Sequence, residues 1–415
     1  MARVPQDDPN ETFHSYCLRN SRHVPYQGRD DDKGIKGIRS ISFYKNQLTL
    51  YEEKYIQLNR DMYVFTAGSV NSKNWECHNQ QQFTDKDNNY VATPGDHIDF
   101  RYDIQCMIGE GSYSQVYKCI DRKNNKTVAV KMMKRKLGDP YQEAAMLLKI
   151  SKIKSEEKSN IVQILHCHTF RKHSYLVEDY YDCNLAVLLS INPFYDTQGV
   201  VKMLKSVLNG LAFLRLHKIV HGDLKPANIL FNRKDIFDLK IADFGLSVMA
   251  DQPIGARVFQ TTTYRAPEVM LGGQVTCGMD MWSFGVILSQ MVGMSFLNGR
   301  DEREQFIYIL EYFGLPPDNF FVGMSKWTKY FSDTRLPNFC MWYPDENGRC
   351  ELNYYTVYTF PERKNPGERK MRDLFDEPDL VEVCNFLYRC FQWEPEKRIH
   401  PAFALKHPLF MNLPK

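Results

Sequence analysis

The sequence predicts an α+β fold in two lobes, a β-rich one followed by a helical one, with a separate region ahead of both. Three observations predict it. Short β-rich runs follow one another from Tyr102, at 102–108, 116–121 and 127–132. After Asn184 helical patterning dominates, most clearly over 197–217. Within that helical half lies a polar loop, His221-Gly222-Asp223-Leu224-Lys225-Pro226-Ala227-Asn228-Ile229-Leu230, which sets a carboxylate, an ammonium group and a carboxamide at fixed offsets between apolar flanks.

At 415 residues the chain is long enough for two substantial cores, and 43% hydrophobic with 13% aromatic residues fits a globular protein. With 53 basic against 50 acidic residues, the net charge of +3 points to neither nucleic acid nor an anionic membrane as a partner. The start, Met1-Ala2-Arg3-Val4-Pro5-Gln6-Asp7-Asp8, has no apolar core and does not read as a signal peptide. The most membrane-like run, 281–297, is interrupted by Ser283, Ser289, Gln290 and Ser295, so a helix buried in a soluble core is expected there. Eleven scattered cysteines with no Cys-x-x-Cys pair suit reduced thiols in the cytoplasm or nucleus.

Residues 1–40 read as a polar, largely irregular arm. A region at 41–101 follows, with a helix expected at 47–58, a strand at 62–65 and a polar loop at 71–89. The β-rich lobe spans 102–181, with a helix at 140–153 and strands at 161–165 and 174–177; the helical lobe spans 182–415. His166-Cys167-His168 contains metal-ligand types, but alternation along a strand points neighbours to opposite faces, so its role is structural.

Gly109-Glu110-Gly111-Ser112-Tyr113-Ser114-Gln115-Val116 lies between two strand-like runs. Glycines there let a hairpin close over phosphates and offer N–H groups to them, although taken alone it reads equally as an ordinary turn. Fifteen residues past Val116 stands Lys131, in Val128-Ala129-Val130-Lys131, and Glu143 opens a helical run as its candidate partner. Twenty residues past Asp223 comes Asp243-Phe244-Gly245, a second carboxylate at a turn. Further on lie Arg265-Ala266-Pro267-Glu268, Asp280 at the head of the buried helix, and Arg398.

In this order and spacing the stretch from about 102 to 410 resembles the eukaryotic protein kinase family. The resemblance implies a bilobal kinase fold that uses ATP and Mg²⁺. Asp223 accepts or orients the proton of the attacking hydroxyl and Lys225 neutralises the moving γ-phosphoryl. Lys131, paired with Glu143, holds the α- and β-phosphates, while Asn228 and Asp243 bind Mg²⁺. Ile108, Gly109, Gly111, Val116, Ala129, Leu230 and the hinge at Asp179 and Tyr181 enclose the nucleotide. Glu268 and Arg398 form a buried ion pair and Asp280 ties down the catalytic loop, all three structural roles.

The segment ahead of the kinase lobe is similar to the accessory region and homology box of DYRK kinases, on Leu48-Thr49-Leu50-Tyr51-Glu52, Met62-Tyr63-Val64-Phe65, Asn89-Tyr90-Val91 and Gly95-Asp96-His97-Ile98-Asp99-Phe100-Arg101-Tyr102. An insert at about 318–375 and the ending Arg398-Ile399-His400-Pro401 agree with the broad group of cyclin-dependent, MAP and DYRK kinases. The aromatics of the insert, Trp327, Tyr330, Phe331, Trp342, Tyr343, Tyr354, Tyr355 and Tyr358, are expected to pack it onto the body.

Four positions depart from the family. Ser114 replaces the third glycine of the loop. Val258 stands where DYRK kinases carry the tyrosine they phosphorylate on themselves, Thr262 replaces an arginine able to receive that phosphate, and Gly222 precedes Asp223 where many kinases have arginine. The activation loop is therefore expected to be held without phosphotyrosine, by packing or by phosphate on Thr261, Thr262 or Thr263. A fifth feature has two readings: Glu178 is a carboxylate at the gatekeeper, or the alignment there is shifted.

The reading is a monomeric protein kinase that phosphorylates Ser/Thr hydroxyls of protein substrates, with Lys225 the Ser/Thr-type feature. The alternative is a nucleotide-binding pseudokinase acting as a scaffold, disfavoured by intact Lys131, Asp223, Asn228 and Asp243. A small-molecule phosphotransferase is disfavoured by the full activation segment through Glu268.

Overall fold

The computed structural model describes residues 35–36, 61–62, 83–92, 96–135, 140–153, 160–191, 196–255, 257–338, 340–344, 350–354, 366–367, 369–370 and 380–411. The expected helix at 47–58, and residues 63–65 of the expected strand, lie outside them; Asp61–Met62 pairs antiparallel with Ile35–Lys36. The chain divides into two compact units, one of 1–154 with 162–181, the other of 155–161 with 182–415.

The first unit is built on an antiparallel six-stranded sheet of β1 (His97–Ile98), β2 (Tyr102–Glu110), β3 (Ser114–Asp121), β4 (Lys126–Met133), β5 (Ile164–Phe170) and β6 (His173–Asp179), in the order β1-β2-β3-β4-β6-β5. Strand alternation sorts its side chains. Tyr117, Cys119, Val128, Val130, Met132, Tyr175 and Val177 face one core, which Tyr90, Ile98, Phe100 and Tyr102 complete. Leu176 and Cys167 face the other way, onto Ala144 and Leu148 of helix α1 (Pro140–Lys152). The box ahead of the kinase lobe thus forms part of this unit's core. Arg171, 2% exposed, clamps it by bonding Tyr90 Oη at 2.8 Å and Asp96 at 3.0 Å beneath the Phe83 ring.

The strand expected at 161–165 begins later, at Ile164, because Ile161, itself part of the second unit, instead bridges to Ile241 there. His166 and His168 stack with their ring centres 6.0 Å apart while Cys167 turns to the opposite core, so the three do not converge on a metal.

His173 is 1% exposed; its Nδ1–H donates to the Met133 carbonyl (2.9 Å) and its Nε2 meets the Thr84 hydroxyl (2.8 Å). Burial lowers its pKa below 6.5, so folding favours the neutral ring. Stability from this group is present above pH 6.5 and lost as pH falls below it, where only the unfolded chain takes up the proton. The melting temperature is expected to fall from pH 7.5 to 5.5, with a shallower slope in His173→Gln.

In the second unit, β7 (Cys183–Asn184), β8 (Ile229–Asn232) and β9 (Asp235–Ile241) form a small antiparallel sheet with β8 central. Around it lie α2 (Leu185–Ile191), α3 (Thr197–Leu216), α4 (Gly278–Met291), α5 (Glu302–Phe313) and α6 (Val381–Cys390). Asp196 caps α3 by accepting from Gly199 N at 2.8 Å, and Asp301 caps α5 likewise. The buried helix expected over 281–297 starts earlier and stops at Met291. Gly293 turns left-handed there (φ 83°), and Met294, Phe296 and Leu297 stay buried as irregular chain.

The insert packs onto this body through aromatic contacts: Tyr330 on Phe306 (4.6 Å), Phe331 on Phe306 (5.7 Å) and Phe320 on Trp393 (5.2 Å). Trp342, Tyr343 and Tyr354 lie on the strand pair Cys340–Pro344 and Cys350–Tyr354, while Tyr355 and Tyr358 fall outside the described residues. Among the described residues no helix is long and apolar enough to cross a membrane.

Candidate active site

In the first unit, β2 and β3 make the glycine hairpin, with Gly109 opposite Val116 and Gly111 N–H donating to the Ser114 carbonyl at 2.8 Å. A Cβ on Gly109 would come no nearer than 3.9 Å to Val116, and one on Gly111 no nearer than 3.8 Å to Ser114 O. The hairpin's own packing does not require these glycines, so their bareness leaves room for a ligand such as a phosphate chain. Ser114 is the first residue of β3, opposite Met133, so the third position is a strand residue that needs no glycine. Ile108 is exposed on the same strand as Gly109.

Lys131 on β4 donates to both Glu143 oxygens, at 2.8 and 2.7 Å, from the first turn of α1. Ala129 lies directly opposite Glu178, and Lys131 opposite Leu176, so all four share one face of the sheet. Glu178 is buried on that face, one residue before the end of β6. Asp179, at the end of β6, is ion-paired with Lys126, and Tyr181 follows just past the strand.

In the second unit, the catalytic loop hangs from Asp280, whose two oxygens accept the His221 and Gly222 N–H groups at 2.8 and 3.0 Å. Burial raises the pKa of Asp280, against the two N–H groups and His221 that favour its charge. His221 spans the loop, accepting from Asp223 N at Nδ1 and donating from Nε2 to Ala242 O at 2.9 Å.

Asp223 is thereby fixed. Its Oδ1 accepts the Thr261 N–H and hydroxyl, both at 2.9 Å, and its Oδ2 accepts Lys225 Nζ at 2.7 Å. Lys225 Nζ also reaches Thr261 Oγ1 at 3.2 Å. Asn228 ends the short turn Pro226–Asn228 with its Nδ2 tied to the Asp223 carbonyl (2.9 Å), which leaves its amide oxygen as the end available to a cation. The Asn228 carbonyl accepts from Ala242 N at 2.9 Å, bringing Asn228 beside Asp243, held at φ 65°. A carboxamide oxygen and a carboxylate held together are hard donors that fit Mg²⁺. Leu230 follows on β8, opposite Asn184.

The activation segment packs against the loop of Asp223 and bonds to α4 and α5. Gly222 has φ 79°, and a Cβ there would meet Leu246 O and the Phe259 ring at 3.0 Å. A side chain is excluded where many kinases place arginine, because Phe259 presses on bare backbone and Gln260 N donates to Gly222 O at 2.7 Å. Gln260, 2% exposed, donates to Tyr264 O, Met279 O and Ser283 Oγ and accepts Ala266 N. Arg265 donates to the Phe259 and Gln260 carbonyls and pairs with Glu302 of α5, whose neighbour Gln305 holds Thr263 O. Val258 is 68% exposed and takes no part.

Of the three threonines, Thr261 does not suit an activating phosphate, since its hydroxyl lies on Asp223 and a dianion there would oppose that carboxylate. Gln260, Glu302 and Gln305 are functional supports that motif reading missed; no short pattern marks them. Replacing Gly222 by alanine is expected to cost at least about 1–2 kcal/mol for the left-handed backbone alone, read as a lower urea midpoint.

Residues 102–410 match the model of the protein kinase domain. The chain belongs to the protein kinase family. It is DYRK-like within that family. It is 32% identical to dual specificity tyrosine-phosphorylation-regulated kinase 3 of Rattus norvegicus over 379 residues, 89% of this chain and 64% of that protein. It is also 32% identical to dual specificity tyrosine-phosphorylation-regulated kinase 4 of Homo sapiens, over 90% of this chain and 70% of that protein. The first relatives are thus matched over just under two thirds of their length. In this DYRK-like chain, Lys131 with Glu143 stands assembled in one unit, and Asp223, Lys225, Asn228 and Asp243 in the other.

Proposed function

We propose that this DYRK-like chain is an active protein kinase that transfers the γ-phosphoryl group of ATP to Ser/Thr hydroxyls of proteins, without a phosphotyrosine in its activation segment. The observation that carries this reading is the Asp223 carboxylate, fixed between Lys225 and Thr261. A substrate hydroxyl placed against Asp223 loses its proton toward that carboxylate as its oxygen bonds to the γ-phosphorus and the bond from that phosphorus to the β-phosphate oxygen breaks, releasing ADP. Lys225 supplies positive charge beside it. Lys131, oriented by Glu143, holds the α- and β-phosphates. Asn228 and Asp243 would hold Mg²⁺, which when bound neutralises phosphate charge.

The scaffold reading has one observation in its favour, the buried Glu178 carboxylate on the Lys131 face, an unusual wall for an adenine pocket. Purified chain incubated with Mg²⁺ and labelled ATP separates the two. Label on serine or threonine of a generic basic protein supports the kinase, and stoichiometric ATP binding without transfer supports the scaffold. We propose the cytoplasm or nucleus as its compartment, in keeping with free cysteines such as Cys119, Cys167 and Cys390, and a monomeric state.

A further inference from the structure

Beside the catalytic loop lies a cavity of about 370 Å³, walled by Ala186 and Leu189 of α2, Lys225 and Ala227 of the loop, Tyr264 of the activation segment and Gln290 near the end of α4. We propose that it receives a side chain of the protein substrate flanking the phosphoacceptor and selects an uncharged one. This inference rests on the kinase reading above.

Position supports it first. Lys225 both lines the cavity and donates to Asp223 Oδ2 at 2.7 Å. A hydroxyl presented to Asp223 therefore has its chain neighbours beside the opening, since an extended peptide advances only about 3.3 Å per residue.

Charge decides what enters. Among the described residues no carboxylate lines the cavity, and the one ionic wall residue is Lys225, already committed to Asp223 and Thr261. An incoming arginine or lysine would be desolvated against an ammonium group with no anion to meet it. An incoming carboxylate would find the Lys225 ammonium already engaged by Asp223 and Thr261.

The remaining walls suit a neutral guest. Ala186, Leu189 and Ala227 are apolar. Gln290 Oε1 accepts from Tyr264 Oη at 2.9 Å, so the Gln290 amide N–H groups are the polar end left to donate to a guest carbonyl or amide. Small apolar and amide side chains meet both conditions.

The test is a positional peptide library around a central Ser or Thr, run with wild type, Ala227→Glu and Gln290→Glu. Ala227 is exposed, and glutamate at 290 keeps the acceptor for Tyr264. Phosphorylation is read alongside fluorescence-anisotropy binding of matching peptides with alanine as the acceptor. At one position within three residues of the acceptor, wild type should disfavour Arg and Lys by about tenfold against neutral residues, a discrimination of about 1.4 kcal/mol. Either glutamate variant should reverse that preference at the same position. Arginine or lysine preferred by wild type, or glutamate variants with unchanged selectivity, overturns the proposal. Absent transfer with the charge selectivity intact in binding removes the kinase reading and leaves the cavity's role standing; absent selectivity in binding removes the cavity's role.

Discussion

Asp223→Asn is expected to lower turnover by about 10³-fold or more while Mg²⁺-ATP affinity and melting temperature stay near wild type. General-base assistance alone contributes roughly 10²–10⁴-fold, and the substitution also removes the charge that holds Lys225 at 2.7 Å. The fold should tolerate it. Asparagine keeps an oxygen for the Thr261 N–H, and the loop's anchors lie elsewhere, at Asp280 and His221. Single-turnover transfer of labelled γ-phosphate measures the first effect and calorimetric ATP titration the second. A mutant retaining a tenth of wild-type transfer would take Asp223 out of the chemistry.

The second large effect falls on stability. Arg398 donates Nη1 and Nη2 to the two oxygens of Glu268 at 2.7 and 2.6 Å, with both residues almost wholly buried. Its Nε donates to Gln392 O at 2.8 Å and its plane lies over Trp282. Glu268→Ala strands a guanidinium without its anion in the core of the second unit and is expected to cost about 3–5 kcal/mol. Arg398→Met strands the carboxylate with a similar loss. The double substitution Glu268→Ala/Arg398→Met leaves no buried charge, so its cost should fall well below the sum of the two. Urea unfolding of the four proteins measures the coupling, and additive losses would mean that the pair contributes nothing as a pair.

The sequence made the chemistry legible because phosphoryl transfer needs few residue types at short, fixed offsets. Lys131 pairs with Glu143 and Asp223 with Lys225, Asp280 accepts from the loop that holds Asp223, and Glu268 pairs with Arg398, all contacts between residues that short motifs single out. Strand and helix ends were less legible. Local pattern cannot reveal that Ile161 leaves its strand to bridge Ile241, or that Gly293 ends a helix whose apolar run continues.

What holds the activation segment was hidden for a different reason. Gln260 bonds to residues up to 23 positions away, and Arg265 finds Glu302 across 37 positions, distances at which sequence shows no periodicity. The glycine at 222 registered only as a missing arginine, whereas the fold makes it the seat of Phe259.

The most direct measurement is turnover of phosphatase-treated enzyme, with peptide mass mapping to verify that 243–268 carries no phosphate, assayed at first turnover before any autophosphorylation. A kinase whose activation segment is ordered without phosphate should then transfer to serine or threonine undiminished. Transfer that is absent after phosphatase and returns only when phosphate reappears in the segment, on Tyr264 or any threonine, would contradict it.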